Sequence, residues 1–415
     1  MGAKQRTDAE RQVADLLDTA RKSLHMSVAF LSRLDGTTQH LEVVESSVPL
    51  LFREGSEQAQ ETSFCQAIQD GKLPAVMPDV RAFPEAMKLP ASRMPRIRSF
   101  VSVPVRLSDG TLYGTFCAAG LTTDKALTKR DQALMDVLAQ AASVVIEPGI
   151  REGVRRHQIE GRLLPLLAGG GPTVVLQPIV ELPSGDRVGA EALSRFPREW
   201  EKAPDVCFEE AHSVDLGHEL ELAALRGAAR HLDRVPGYVS MNVSPAVLLT
   251  PACTALLDAL ALPRVLLELS EHDRVEDYGA LRAALAPLRA KGLRLAIDDV
   301  GAGFSSLRHI VLMAPDVIKL DRTLVDGVTD DAVLRTLVKS LVDFAAGSGA
   351  GVVAEGVETA ADADVLAALG VGYAQGWHFG RPGPPEDLAA CPPRARVGGA
   401  VGAGASLGSA GAEPV

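Results

Sequence analysis

Short apolar runs in the second half of the chain each close on a carboxylate, an amide or a lysine. They are Tyr238-Val-Ser-Met-Asn242, Val265-Leu-Leu-Glu268, Leu295-Ala-Ile-Asp298-Asp299, Val317-Ile-Lys319 and Val352-Val-Ala-Glu355, and an earlier run ends near Glu191. β-Branched and aliphatic runs this short, separated by helical stretches, read as buried parallel strands. Strands and helices in this alternation build a barrel, and such barrels place their chemistry at the C-terminal ends of the strands. Acidic groups gathered at one rim repel each other unless cations lie between them. The pattern therefore predicts a metal site. Oxygen ligands without His or Cys suit Mg²⁺ or Mn²⁺ rather than zinc.

Charge and cysteine usage narrow the function classes. The 53 acidic against 42 basic residues give a net charge of -11, which argues against a general nucleic-acid binder. A small phosphate-bearing ligand stays possible, because metal ions screen acidic ligands locally. The cysteines are Cys65, Cys117, Cys207, Cys253 and Cys391, an odd number without a Cys-x-x-Cys pair. Neither a disulfide framework nor a structural zinc site is expected, and a reducing compartment fits. Cys65 reads as a buried small side chain rather than a reactive thiol. The N-terminus carries no apolar signal core, and no apolar segment reads as long enough to cross a bilayer. The expectation is a cytoplasmic protein with no membrane insertion.

Residues Val13, Leu16, Leu17, Ala20 and Leu24 recur at helical spacing, so a helix opens the chain. Ser27-Val-Ala-Phe-Leu, Phe100-Val-Ser-Val-Pro-Val-Arg-Leu and Leu112-Tyr-Gly-Thr-Phe-Cys117 read as strands, the last two joined by a hairpin at Ser108-Asp-Gly110. Thr128 and Asp131 start a second helix, and Pro148-Gly149 marks a break or kink in it. The order helix, antiparallel sheet, helix over residues 7–147 resembles a GAF domain. The carrying residues are Arg98-Ser-Phe-Val-Ser-Val-Pro-Val, Gly110-Thr-Leu-Tyr-Gly-Thr-Phe and Cys65-Gln-Ala-Ile-Gln-Asp-Gly71 leading to Asp79. The resemblance implies a sensor or dimerisation module with a small-molecule ligand, whose identity stays unknown. A connector follows over 148–172, then a catalytic-looking domain over 173–391. The Gly/Ala/Pro/Ser tail over 392–415 has little to bury and is expected to be disordered.

Val174-Val-Leu-Gln177-Pro-Ile-Val and Val188-Gly-Ala-Glu191-Ala-Leu-Ser-Arg195 should be the first two barrel strands. Glu191-Ala192-Leu193 is the signature of the EAL family of cyclic di-GMP phosphodiesterases. Its companions occur in family order: Gln177-Pro178-Ile179, Asn242-Val243-Ser244, Glu268-Leu-Ser-Glu271, Asp298-Asp299, Lys319-Leu-Asp321, Ala354-Glu355-Gly-Val-Glu358, Gln375-Gly376 and Phe379-Gly-Arg-Pro382. The second domain therefore resembles an EAL domain along its whole length. The fold implied is an α+β GAF-like domain followed by an α/β TIM-like (β/α)8 barrel.

The resemblance implies a two-metal hydrolysis of cyclic di-GMP to linear pGpG. Glu191, Asn242, Glu268 and Asp298 would hold one Mg²⁺ or Mn²⁺, with Asp299 and Glu355 helping to hold a second. Lys319 would orient or deprotonate the attacking water or offset charge in the transition state, and Gln375 would position that water. Arg195 has the planar fork suited to a phosphate oxygen. Gln177 and the backbone near Leu193 would line the nucleotide groove, and Glu358 would contact a base or support the site from behind. A homodimer is also implied, with Glu271 anchoring the loop after the Asp pair. That loop departs from the family: Val300, Ala302 and Phe304 stand where Phe, Thr and Tyr are usual, and His212 replaces a usual Glu. The expected ligands all survive, so activity is the favoured reading, with a non-catalytic cyclic di-GMP receptor or interaction module as the alternative.

Overall fold

The computed structural model describes residues 6–48, 52–93, 97–301 and 306–390. The chain divides into two compact units, Met1–Arg155 and Arg156–Val415. In the first, Thr7 and Glu10 form a reciprocal capping box that starts α1 (Asp8–Ser23). The sheet has six strands in the order β3-β2-β1-β6-β5-β4. They are β1 Val28–Leu34, β2 Thr38–Ser46, β3 Glu57–Ala59, β4 Val76–Met77, β5 Ser99–Arg106 and β6 Leu112–Gly120, with every pairing antiparallel. The Ser108–Gly110 hairpin forms as expected. The sheet buries both faces. Val103 and Phe116 pack with Val13 and Leu17 of α1 on one side, and Phe30 and Phe100 pack with Phe64 and Ala86 on the other. The second layer is supplied by α2 (Phe64–Gln69) and α3 (Pro84–Lys88).

Pro148-Gly149 does not break the helix that follows. Residues Lys129–Ala168 form one helix, α4, of 40 residues. Pro148 removes one backbone donor, but the turns on both sides are anchored by buried side chains, Met135 and Ala142 before it and Ile159 and Leu163 after it. Because the helix is uninterrupted, its apolar stretch is long enough by length and composition to cross a membrane, contrary to the sequence expectation. Part of that stretch lies in the core against the sheet, and Val137 and Val144 are exposed.

The second unit is a closed barrel of eight strands in the order β10-β11-β12-β13-β14-β7-β8-β9. They are β7 Thr173–Glu181, β8 Arg187–Arg195, β9 Tyr238–Asn242, β10 Val265–Ser270, β11 Arg294–Val300, β12 Val317–Leu320, β13 Gly351–Ala354 and β14 Tyr373–Gln375. The barrel is not wholly parallel: β7 pairs antiparallel with both β8 and β14. The cause is the link after β7. A parallel return needs a crossover of a dozen or more residues, and the short turn from Leu182 to Asp186 allows only a hairpin.

One turn sets the entry to β9. Gly237 has φ +82, and a Cβ there would lie 1.8 Å from the Val188 carbonyl oxygen. Gly237→Ala should therefore lower stability by more than about 1 kcal/mol in urea unfolding; an unchanged midpoint would refute this account of the turn.

Candidate metal centre

The interior of the barrel is filled in layers, because alternate residues of each strand point inward. Tyr238, Leu266, Ala296, Val317, Val353, Tyr373 and Ile179 form a closed apolar floor. Two positions nearer the rim the same strands present Ser240, Glu268, Asp298, Lys319, Glu355 and Gln375. On the reversed strand β7 the equivalent residue is Gln177, two before Ile179, and it lies opposite Glu191 of β8.

Lys319 is wholly buried at the centre of this layer. Its Nζ lies 2.6 Å from Glu355 Oε1, 2.7 Å from Glu268 Oε1, 3.1 Å from Asp298 Oδ1 and 3.7 Å from Glu191 Oε2. Two amides steady Glu191. Gln375 Nε2 donates to its Oε2 at 2.6 Å, and Asn242 Nδ2 donates to its Oε1 at 3.2 Å. Gln375 also donates to Gln177 Oε1 at 3.0 Å, and Gln177 donates to the Gly380 carbonyl at 3.1 Å. Ser240 Oγ donates to Glu268 Oε1.

Neighbouring strand residues normally face opposite sides, so Asp298 and Asp299 need a local irregularity to serve one site. The pairing of β11 with β12 shifts register between Ile297 and Val300, and Asp299 adopts φ +59. The bulge re-aims the second side chain. Asp299 Oδ2 accepts from Ser270 Oγ at 3.3 Å, while its N–H donates to Asp298 Oδ1 at 3.0 Å.

Two overlapping sets of carboxylate oxygens result, each with its atoms within 4.8 Å of one another: Glu191, Glu268 and Asp298, and Asp298, Asp299 and Glu355. Asp298 belongs to both, as a ligand shared by two ions would. Among the described residues, the buried Glu268 Oε2 accepts no hydrogen bond, which leaves its lone pairs free for a cation. An all-oxygen set of this kind fits hard divalent cations.

Burial raises the carboxyls of Glu268, Asp298 and Glu355 despite Lys319, Glu355 to about 8. Burial also opposes ionisation of Glu191, but Lys319 and the two amides outweigh it and hold this carboxyl below its ordinary value. The four carboxylates likewise overcome the burial of Lys319 and keep it protonated.

Beside this layer opens a cavity of about 450 Å³, lined by Leu193, Arg195, Phe208, His212 and Asp273 among others. Arg195 donates to the Ser194 carbonyl at 2.9 Å. Glu221 accepts from Ser244 Oγ at 3.0 Å and from its N–H at 2.8 Å, and lies 3.0 Å from His212 Nε2. Burial lifts the Asp273 carboxyl to about 6. Glu358 stands apart from the carboxylate layer, paired with Arg322 at 2.9 Å. Glu271 is buried, its N–H donates to the Asp298 carbonyl at 3.1 Å, and among the described residues its carboxylate accepts no hydrogen bond. The divergent positions Ala302 and Phe304 lie outside the described residues. Ser240, Glu221 and Asp273 were missed from sequence. Counting back two residues from Asn242 would have found Ser240; Glu221 and Asp273 lie off the strands and carry no such signal.

Sequence profiles place an EAL domain at residues 161–382 and a GAF domain at residues 7–147. An uncharacterized protein of Mycobacterium tuberculosis (strain ATCC 25618 / H37Rv) is 33% identical over 251 residues, 57% of this chain and 40% of that protein. The probable cyclic di-GMP phosphodiesterase PdeB of Escherichia coli (strain K12) is 29% identical over 226 residues, 51% of this chain and 43% of its own length. The chain thus spans less than half the length of these two relatives. Among solved structures, the PaMucR phosphodiesterase in complex with c-di-GMP matches with a TM-score of 0.50 at 27% identity, over 56% of this chain and 99% of that one.

The raised carboxyls set a pH dependence. The unfolded chain releases these protons near pH 4–5, whereas folded Glu355 keeps its proton until about pH 8. A raised folded pKa contributes stability at low pH that is lost as pH rises through the folded value. In EDTA, stability to urea should therefore fall between about pH 5 and 8, and saturating Mg²⁺ or Mn²⁺ should flatten the slope. A rise in EDTA over that window would contradict the burial argument.

Proposed function

The chain belongs to the EAL family, and we propose that it hydrolyses cyclic di-GMP to linear pGpG with two Mg²⁺ or Mn²⁺ ions. The observation that carries this reading is the pair of overlapping carboxylate sets sharing Asp298, with the buried Lys319 against both. Glu191, Asn242, Glu268 and Asp298 would hold one ion, and Asp298, Asp299 and Glu355 the other. Bound divalent ions supply Lewis acidity, lowering the pKa of water and offsetting charge on the phosphoryl oxygens.

The protein groups do the rest. Lys319, held protonated, stabilises negative charge developing on the phosphoryl oxygens, and Glu355, whose own proton bound cations would displace, accepts one from the attacking water. Gln375 fixes Glu191 through its amide donor and orients the water with its carbonyl. Gln177, Leu193 and Arg195 border the substrate groove, with Arg195 turning from Ser194 to a phosphate oxygen. The apolar floor beneath the layer excludes bulk water and sharpens each of these charge interactions. The N-terminal GAF domain regulates the barrel in response to a small-molecule ligand, in a homodimer. Support for that coupling is the single helix α4, whose side chains contribute to the core of each unit.

The divergent loop residues Val300, Ala302 and Phe304 favour one second reading, a receptor that binds cyclic di-GMP without turning it over. Chromatography of product after incubation with cyclic di-GMP and Mg²⁺ or Mn²⁺ separates the two. Wild-type protein should release pGpG and Glu191→Ala should release none, while Lys319→Gln should lose about 10²–10⁴ in rate. Intact substrate beside wild-type protein that still binds it would establish the receptor.

A further inference from the structure

Away from the barrel, the first unit holds two thiols that the proposed hydrolysis does not use. Cys65 is the second residue of α2, in the turn capped by Ser63, and Cys117 lies in β6. Their Sγ atoms are 3.3 Å apart, and both side chains are buried. The surroundings are polar for a core. Cys117 Sγ lies 3.2 Å from both Ser102 Oγ and Thr115 Oγ1. Thr115 is 2.8 Å from Ser32 Oγ, which accepts from Gln39 Nε2 at 2.8 Å. Hydroxyls thus adjoin the sulfur pair, with the Gln39 amide further out, and a polar setting disfavours ionisation of a thiol less than apolar packing does. The hydrogen bond with Cys117, followed by contacts from Thr115, Gln39 and Ser102, lowers the Cys65 thiol, while burial pushes the Cys117 thiol up. Of the two sulfurs in contact, Cys65 is the one whose ionisation the surroundings ease.

We propose that Cys65 and Cys117 are a reversible dithiol–disulfide couple, oxidised by a hydroperoxide. The Cys65 thiolate attacks one peroxide oxygen and breaks the O–O bond. With hydrogen peroxide, the leaving hydroxide takes up a proton to become water, and Cys65 becomes a sulfenic acid. The Cys117 sulfur then attacks the Cys65 sulfur, hydroxide leaves, and it takes the Cys117 proton as a second water. Two electrons pass from the sulfurs to the peroxide, and a thiol reductant reverses the change by exchange. The sulfurs need approach by only about 1.3 Å to reach bonding distance. Opening of α2, six residues long, gives the oxidant its route. The inference does not depend on the chemistry of the barrel.

Thiol counting tests it. The full-length protein is treated with hydrogen peroxide, quenched, unfolded in N-ethylmaleimide and weighed intact. Reduced protein should carry five adducts, one for each cysteine. Oxidised protein should carry two fewer and yield a peptide cross-linked between Cys65 and Cys117, and dithiothreitol should restore all of them. Cys117→Ser should abolish the cross-link and leave a Cys65 sulfenic acid trapped by dimedone, whereas Cys391→Ser should leave the cross-link unchanged. A full set of adducts after peroxide, or a cross-link through any other cysteine, would overturn the proposal.

Discussion

One buried ammonium facing four carboxylates governs the second unit. Lys319 can neutralise one of them. The others, held in a layer with an apolar floor beneath them, must bind protons, draw in cations or push the strands apart. Closure of the barrel forbids the last, since each strand is hydrogen-bonded on both sides. The structure therefore stores an affinity for positive charge that it cannot relieve by relaxing. Ser240 and the amides of Asn242 and Gln375 keep the carboxylates aimed inward rather than letting them turn to solvent.

The same alternation that fills the floor also builds the site, which is why so much of it was legible. Lys319 follows Val317 by two residues and Glu268 follows Leu266 by two, so each apolar run announced both its floor residue and its functional one. Matches to the EAL and GAF profiles bear out the family reading and both folds. What the sequence did not disclose was local geometry. Asp298 and Asp299 share a site through a bulge, and no residue in the run marks it. The edge strands β3 and β4 went unrecognised because they are very short, and the inner strand β2 because it carries polar Gln39 on its buried face. Pro148 read as a break or kink because the rule for an isolated helix was applied to one held by packing on both sides.

The cavity and the carboxylate layer differ in how firmly the fold places their side chains. Gln177, Glu191 and Gln375 form a hydrogen-bonded chain across three adjoining strands, β14, β7 and β8, so their positions follow from the barrel. Arg195 instead rests on its own neighbour's carbonyl, and Asp273 and His212 stand on connections outside the strands. Groups fixed by the barrel thus form the carboxylate layer, while groups outside the strands border the cavity beside it.

The reversed strand β7 changes where the chain enters the barrel. Thr173 at its start pairs with Arg195 at the end of β8, so the polypeptide arrives at the rim that carries the chemistry and runs down toward the floor. In a wholly parallel barrel it would arrive at the opposite end. The last turns of α4, through Leu166 and Leu167, consequently pack beside Phe196 and Phe208, the latter a wall of the groove. The mouth of the cavity is framed by the segment on which the domain is threaded.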